Sequence, residues 1–153
     1  MPHATVDDGT KIAYALDGRR DGEPLLMIHG LGADTRGWIM QKRSLGARYR
    51  LVMVDNRGVG GSDRAEGPYD LEVMATDALA ALDHAGYGSA HVVGASMGGI
   101  IGQVIGVRHP DRVRSLTLAC TACRHFGWRR ELLAEWADQA QAYGMREFVR
   151  RNL

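Results

Sequence analysis

Gly94-Ala95-Ser96-Met97-Gly98 sets a serine between two glycines, where the apolar run Ala90-His91-Val92-Val93 meets the glycine-spaced segment Met97 to Arg108. A serine hydroxyl is a useful nucleophile only if the backbone lifts it clear of the sheet. The turn that does so is tight enough that large residues two positions either side would collide. Gly94 and Gly98 meet that demand. The bare G-x-S-x-G pattern recurs by chance, so its flanks carry the weight: the run before it reads as a short buried strand, and the segment after it as a helix. The expectation is a nucleophile elbow presenting Ser96, with a plain strand-to-helix turn as the alternative.

Working outward from the elbow, Thr5-Val6, Asp8-Gly9 and Lys11 to Leu16 alternate around a turn dipeptide, which predicts a hairpin. Leu25-Leu26-Met27-Ile28 and Leu51-Val52-Met53-Val54 are continuously apolar, as strands buried on both faces are. Between them, Arg36 to Tyr49 carries Trp38, Ile39, Leu45 and Tyr49 at loosely helical spacing. Pro68 to Gly86 predicts a clearer helix, with Asp70 as N-cap, Leu71, Met74, Ala78, Leu82 and Ala85 on one stripe, and Gly86 as terminator. The elbow helix is closed by Pro110, and Val113 to Ala119 reads as a last strand. This alternation predicts an α/β fold: a mostly parallel sheet with helices on both faces and an antiparallel edge from the leading hairpin. Ligands of such sheets sit at the carboxyl ends of the strands. Those ends hold His29-Gly30-Leu31-Gly32, the run Asp55 to Asp63, and the elbow.

Composition narrows the partners. The 153 residues suffice to bury about 70% of the unfolded surface. Hydrophobic residues make up 45% and charged residues 24%, with a formal net charge of +1. That balance gives no electrostatic case for nucleic acid or an anionic membrane as partner. The polar start, Met1 to Lys11, has no apolar secretory core, and the most apolar run, Gly94 to Val107, is interrupted by Gln103 and too short to span a bilayer. The expected compartment is the cytoplasm. The glycines at 58, 60 and 61 hint at a phosphate cradle, but a dinucleotide fingerprint would need glycine where Asp63 stands. Cys120 and Cys123 form one C-x-x-C with no second pair, and His125 is one residue too far along for haem attachment, so two reduced thiols are expected. Neither a metal nor an organic cofactor is implied.

With the His-Gly turn, the Asp55 to Asp63 run and the elbow in this order, the chain resembles the α/β-hydrolase superfamily. The likeness is to the single-domain bacterial branch of enol-lactonase-like, esterase-like and cofactor-free haloperoxidase-like proteins, and it runs from the hairpin through Cys123. The resemblance implies a hydrolase core over 1–123 and the start of a helical cap over 124–153. It makes Ser96 the nucleophile and the backbone N–H groups of Leu31 and Met97 the oxyanion hole, framed by His29, Gly30, Gly94 and Gly98. Two preorganised amide donors at a developing oxyanion can each contribute about 3 kcal/mol, and the positive end of the helix starting at Met97 adds to them. His29 is expected to fix the oxyanion loop rather than act as base, and Asp55 and Asp63 to serve a structural loop with Arg57.

Past Cys123, Trp128, Leu132, Leu133, Trp136 and Ala140 keep helical spacing, Tyr143-Gly144 breaks it, and Met145 to Leu153 begins another helix with Phe148 and Val149. The resemblance makes this an apolar roof, with Trp128 and Trp136 as substrate contacts, though those residues can equally pack the cap on the sheet. In the family two more strands follow, and their loops supply the triad acid and histidine. Neither position occurs in this sequence, Cys120 to Arg130 holds no Asp or Glu, and His125 is the one histidine beyond Cys123. The fold is therefore expected to be truncated after its sixth strand and the start of the cap.

Two functions follow. The first is a serine hydrolase of small, apolar carboxylic esters or lactones, working through an acyl-enzyme on Ser96. The second is a catalytically incomplete fragment or a scaffold binding a small ligand, because a serine without a base is a poor nucleophile. Truncation would also leave Val113 to Ala119 as an exposed sheet edge, which predicts self-association through that strand. Light scattering on a solution at tens of micromolar should then show species larger than a monomer, and a clean monomer would count against it.

Overall fold

The computed structural model describes residues 1–67, 69–124 and 127–152. They form two compact units, Met1–Ala122 and Cys123–Leu153. In the first, β1 (His3–Thr5), β2 (Lys11–Gly18), β3 (Glu23–Ile28), β4 (Tyr49–Val54), β5 (Ala90–Ala95) and β6 (Val113–Ala119) make one sheet in the order β1-β2-β4-β3-β5-β6. The hairpin pairs antiparallel within itself and onto β4, and the other three pairings are parallel. β6 forms the edge opposite the hairpin. This is the mostly parallel sheet with an antiparallel margin that the runs of apolar residues predict.

Alternation of side chains divides each central strand between two cores. Leu26, Ile28, Val52, Val54 and Val92 face Met74, Ala78 and Leu82 of α2 (Leu71–His84) and Ile101 and Ile105 of α3 (Met97–Arg108). Leu25, Met27, Leu51 and Met53 point the other way and bury with Trp38. Each large aliphatic side chain buried in this way contributes about 1.5–3 kcal/mol. Asp70 caps α2 by accepting the Glu72 N–H at 2.6 Å, and Gly86 ends it at φ 91. Pro68, where the sequence pattern for this helix begins, lies outside the described residues.

The stretch Arg36 to Tyr49 is shorter as a helix than its spacing predicts. A 3-10 turn, Thr35–Trp38, leads into α1 (Ile39–Leu45), and Tyr49 already belongs to β4. Trp38 drops into the second core while Ile39 is left 72% exposed, so only one of the two adjacent apolar residues is a core residue. Gly46 caps the helix with its N–H still donating to the Lys42 carbonyl oxygen, and its backbone passes close to Gly18, where an added Cβ would lie 2.9 Å from the Gly46 Cα.

A buried ion pair ties the loops to α2. Arg57 donates from Nε and NH2 to the two Asp77 oxygens at 2.6 and 2.9 Å, and from NH1 to Asp8 at 3.1 Å. The Arg57 and Asp77 side chains are only 5% and 3% exposed. Bidentate hydrogen bonding to Asp77 pushes the Arg57 guanidinium further above its ordinary range. The pair links the loop after β4, the α2 helix and the β1–β2 turn.

In the second unit, α4 (Gly127–Tyr143) and α5 (Met145–Asn152) are joined at Gly144, which has φ 77. Trp136 meets Phe148 edge-on at 5.7 Å, and Asn152 donates to Gln139 at 2.8 Å. Hydrogen bonds from Arg150 and Arg151 hold the Glu147 carboxyl down at about 2. Among the described residues no helix is long and apolar enough to cross a membrane.

Asp77→Ala should lower unfolding free energy by about 3–5 kcal/mol, because it strands a buried guanidinium. The Arg57→Met, Asp77→Leu double variant should lose less than that single change in urea titration.

Candidate active site

The site is built at the end of β5. Ser96 sits between β5 and α3 at φ 51, ψ −117, a conformation that costs a non-glycine residue about 1–3 kcal/mol. Its side chain is exposed. The flanking glycines are there for space. A Cβ on Gly94 would overlap the Gly98 carbonyl oxygen and come within 2.6 Å of the Gly99 Cα. A Cβ on Gly98 would overlap the Ile28 carbonyl oxygen and lie 2.7 Å from that of His29. The helix start is thus pressed onto the end of β3, which brings the loop after β3 to the serine.

Gly30 is the point of closest approach. A Cβ there would stand 3.2 Å from the Ser96 Cβ, a tight contact, and 3.7 Å from its Oγ, so a side chain at this position would crowd the serine. Leu31 follows directly, its side chain 65% exposed, and Met97 starts α3 immediately after Ser96. The Leu31 and Met97 amides therefore belong to the two segments that converge on the serine. The Met97 side chain packs against the α2–α3 core.

The His29 ring is engaged within its own loop. Its Nδ1 accepts the Gly30 N–H at 2.8 Å, its centroid lies 4.8 Å from that of Trp38, and its Nε2 edge lies flush against Gly37. Asn56 holds the His29 carbonyl oxygen with its side-chain amide at 3.2 Å. Asp55 is buried and accepts the Thr35 and Gly61 N–H groups at 2.7 and 2.9 Å, joining the loop after β3 to the loop after β4. Asp63 accepts the Lys11 N–H at 2.9 Å. Ser62 donates to the Asp55 carbonyl oxygen at 2.6 Å and accepts the Ala13 N–H at 2.8 Å.

Sequence reasoning missed Asn56 and Ser62, since a single polar residue in a glycine-rich loop carries no periodic signal. It also missed Asp77, which lies beside the apolar stripe of α2 with nothing to announce its partner. Of the two tryptophans expected at the substrate, Trp128 is 60% exposed on α4, and Trp136 is engaged with Phe148 within the second unit. His125 lies outside the described residues. Cys120 and Cys123 are exposed free thiols.

The family model for the alpha/beta hydrolase fold matches residues 23–149. The chain belongs to this family. It is 35% identical over 150 residues, covering 98% of this chain and 56% of the relative, to a protein of Azorhizobium caulinodans named "Putative carbamate hydrolase RutD". Among solved structures it resembles the enol-lactonase of Burkholderia xenovorans, with 32% identity and a TM-score of 0.88, over 95% of this chain and 56% of that one. It also resembles a thermophilic esterase of Thermogutta terrifontis, with 28% identity and a TM-score of 0.82, over 94% of this chain and 54% of that one. The chain spans about half the length of these relatives.

Gly98→Ala should destabilise the protein by at least about 1–3 kcal/mol, since its methyl meets backbone that cannot swing aside. Gly106→Ala, whose added Cβ would stand 3.6 Å from Leu116 in ordinary contact, should leave stability unchanged or raised in the same urea titration.

Proposed function

We propose that this chain carries the nucleophile half of a serine hydrolase for carboxylic esters or lactones, with an acyl-enzyme formed on Ser96. The supporting observation is the arrangement at the elbow: an exposed serine held at φ 51, with a glycine loop against its Oγ and a helix starting at the next residue. In this reading Ser96 Oγ attacks the substrate carbonyl carbon while its proton passes to a base, and the Leu31 and Met97 amides hold the negative oxygen of the tetrahedral intermediate. The intermediate expels the alkoxide, which takes the proton from the base and departs as the alcohol or, from a lactone, remains as a hydroxyl on the acyl group. Water then attacks the acyl group, releasing the acid and returning the proton to Ser96. Lactone, ester and carbamate substrates share this carbonyl chemistry, and the names of the three relatives support that class.

A second reading, a small-ligand scaffold without turnover, draws on the engagement of the titratable groups near the strand ends. His29 Nδ1 is occupied by Gly30, and Asp55 and Asp63 are occupied by backbone N–H groups. A serine without its base retains only about 10³- to 10⁴-fold catalysis from oxyanion hole and binding.

Turnover of p-nitrophenyl butyrate by the purified protein and by its Ser96→Ala variant, both shown folded by circular dichroism, separates these readings. The hydrolase reading expects the rate to fall to background in the variant. Equal rates in two folded proteins would sink it and leave the scaffold.

A further inference from the structure

We propose that Thr121 is the positioning residue for Ser96, its hydroxyl replacing a missing rung of the β5–β6 ladder and holding the serine in its left-handed conformation. In a parallel ladder every second residue of a strand donates its N–H to the residue before its partner and accepts from the residue after it. The β5–β6 register runs to Ala95 opposite Ala119, and the next step would place Ser96 opposite Cys120. Half of that rung is present: the Ser96 N–H donates to the Ala119 carbonyl oxygen at 2.9 Å. The other half would be the Thr121 N–H on the Ser96 carbonyl oxygen. Besides the two N–H groups of the first turn of α3, the donor on that oxygen from the β6 side is the Thr121 hydroxyl, at 2.8 Å.

The reason for the exchange lies in the backbone. Among the described residues only Ser96 and Cys120 have positive φ without being glycine, both at 51, and the ladder register sets them side by side. Both strands leave the sheet at the same level, so the backbone rung cannot continue there, and a short β-hydroxyl reaches across instead.

Two further contacts fasten the same segment. The Thr121 side chain lies flat on Gly99, where an added Cβ would come within 2.6 Å of its Cγ2. Gln103, the polar interruption in the apolar run of α3, donates to the Gly99 and Ala122 carbonyl oxygens at 3.2 and 3.3 Å. The first turn of α3 hangs from the same Ser96 oxygen through the Gly99 and Ile100 N–H groups at 2.9 and 3.3 Å. Thr121 thus fixes the peptide that sets both the direction of the Ser96 side chain and the start of the helix. The inference rests on Ser96 being the nucleophile only in its chemical consequence, since the hydrogen bond itself is independent of that reading.

The test compares wild type with Thr121→Val, which keeps the shape and loses the hydroxyl, and with Thr121→Ser, which keeps the hydroxyl. Two readouts are taken on folded protein: exchange of the Ser96 amide hydrogen by NMR, and the rate at which a fluorophosphonate probe labels Ser96, read by mass spectrometry. Thr121→Val is expected to speed exchange and slow labelling about tenfold or more, with Thr121→Ser within about twofold of wild type in both. If the valine variant does not fold, Thr121→Ala takes its place. Exchange unchanged in the valine variant overturns the proposal. So does a serine variant as impaired as the valine one, or faster exchange with labelling untouched. Faster exchange rescued by serine, in a protein whose Ser96 is never labelled, upholds the positioning role and sinks the nucleophile reading instead.

Discussion

The close approach of the α3 start to the ends of β3 and β5 is the constraint on which the rest of the site depends. Two carbonyl oxygens, of Ile28 and Gly98, occupy the space that side chains at positions 98 and 94 would need. Interiors are packed too densely for backbone to yield there. With α3 drawn in this far, its first residue and the loop after β3 meet at Ser96, and Gly30 lies so near that an added Cβ would stand 3.2 Å from the Ser96 Cβ. A serine at positive φ is costly, and the surrounding packing has to over-determine it. The fit of Gly94, Gly98 and Gly99 against their neighbours supplies that over-determination from one side, and the end of β6 from the other.

A second layer of polar contacts keeps the loops at that end of the sheet in place. Asp55 collects N–H groups from the loops after β3 and β4, Asn56 holds the His29 carbonyl oxygen, and the Arg57–Asp77 pair anchors the later loop to α2. Each buried carboxylate or guanidinium is matched by donors or acceptors of its own, which is the condition for burying such groups without a large desolvation cost. A loop tied in this way holds its amides in place, and the proposed oxyanion role of Leu31 would draw on that preorganisation.

Much of the frame was legible along the chain. Continuous apolar runs marked β3 and β4, because strands buried on both faces admit no polar alternation. The α2 stripe and its Asp70 cap follow from helical period and from the need of the first turn for an acceptor. The boundaries of α3 and β6 agree with the sequence reading residue for residue, since a glycine elbow and Pro110 punctuate them sharply. The Arg36 to Tyr49 stretch was misjudged because Trp38 and Ile39 are equally apolar, and only the sheet beneath them selects which one is buried. For Trp136 the helical spacing left a substrate contact and a packing role both open, and the structure sets its ring edge-on to Phe148.

By itself the sequence determined the order of strands and helices, the elbow at Ser96 and the family, since these depend on local period, glycine placement and contiguous motifs. Tertiary structure alone decided the pairing of Arg57 with Asp77, the engagement of His29 with Gly30, Gly37 and Trp38, and the meeting of Thr121 with Ser96. Those contacts join residues distant along the chain, and which of many polar side chains find one another is set by strand register and by the packing of helix on sheet, neither of which leaves a periodic trace in the sequence.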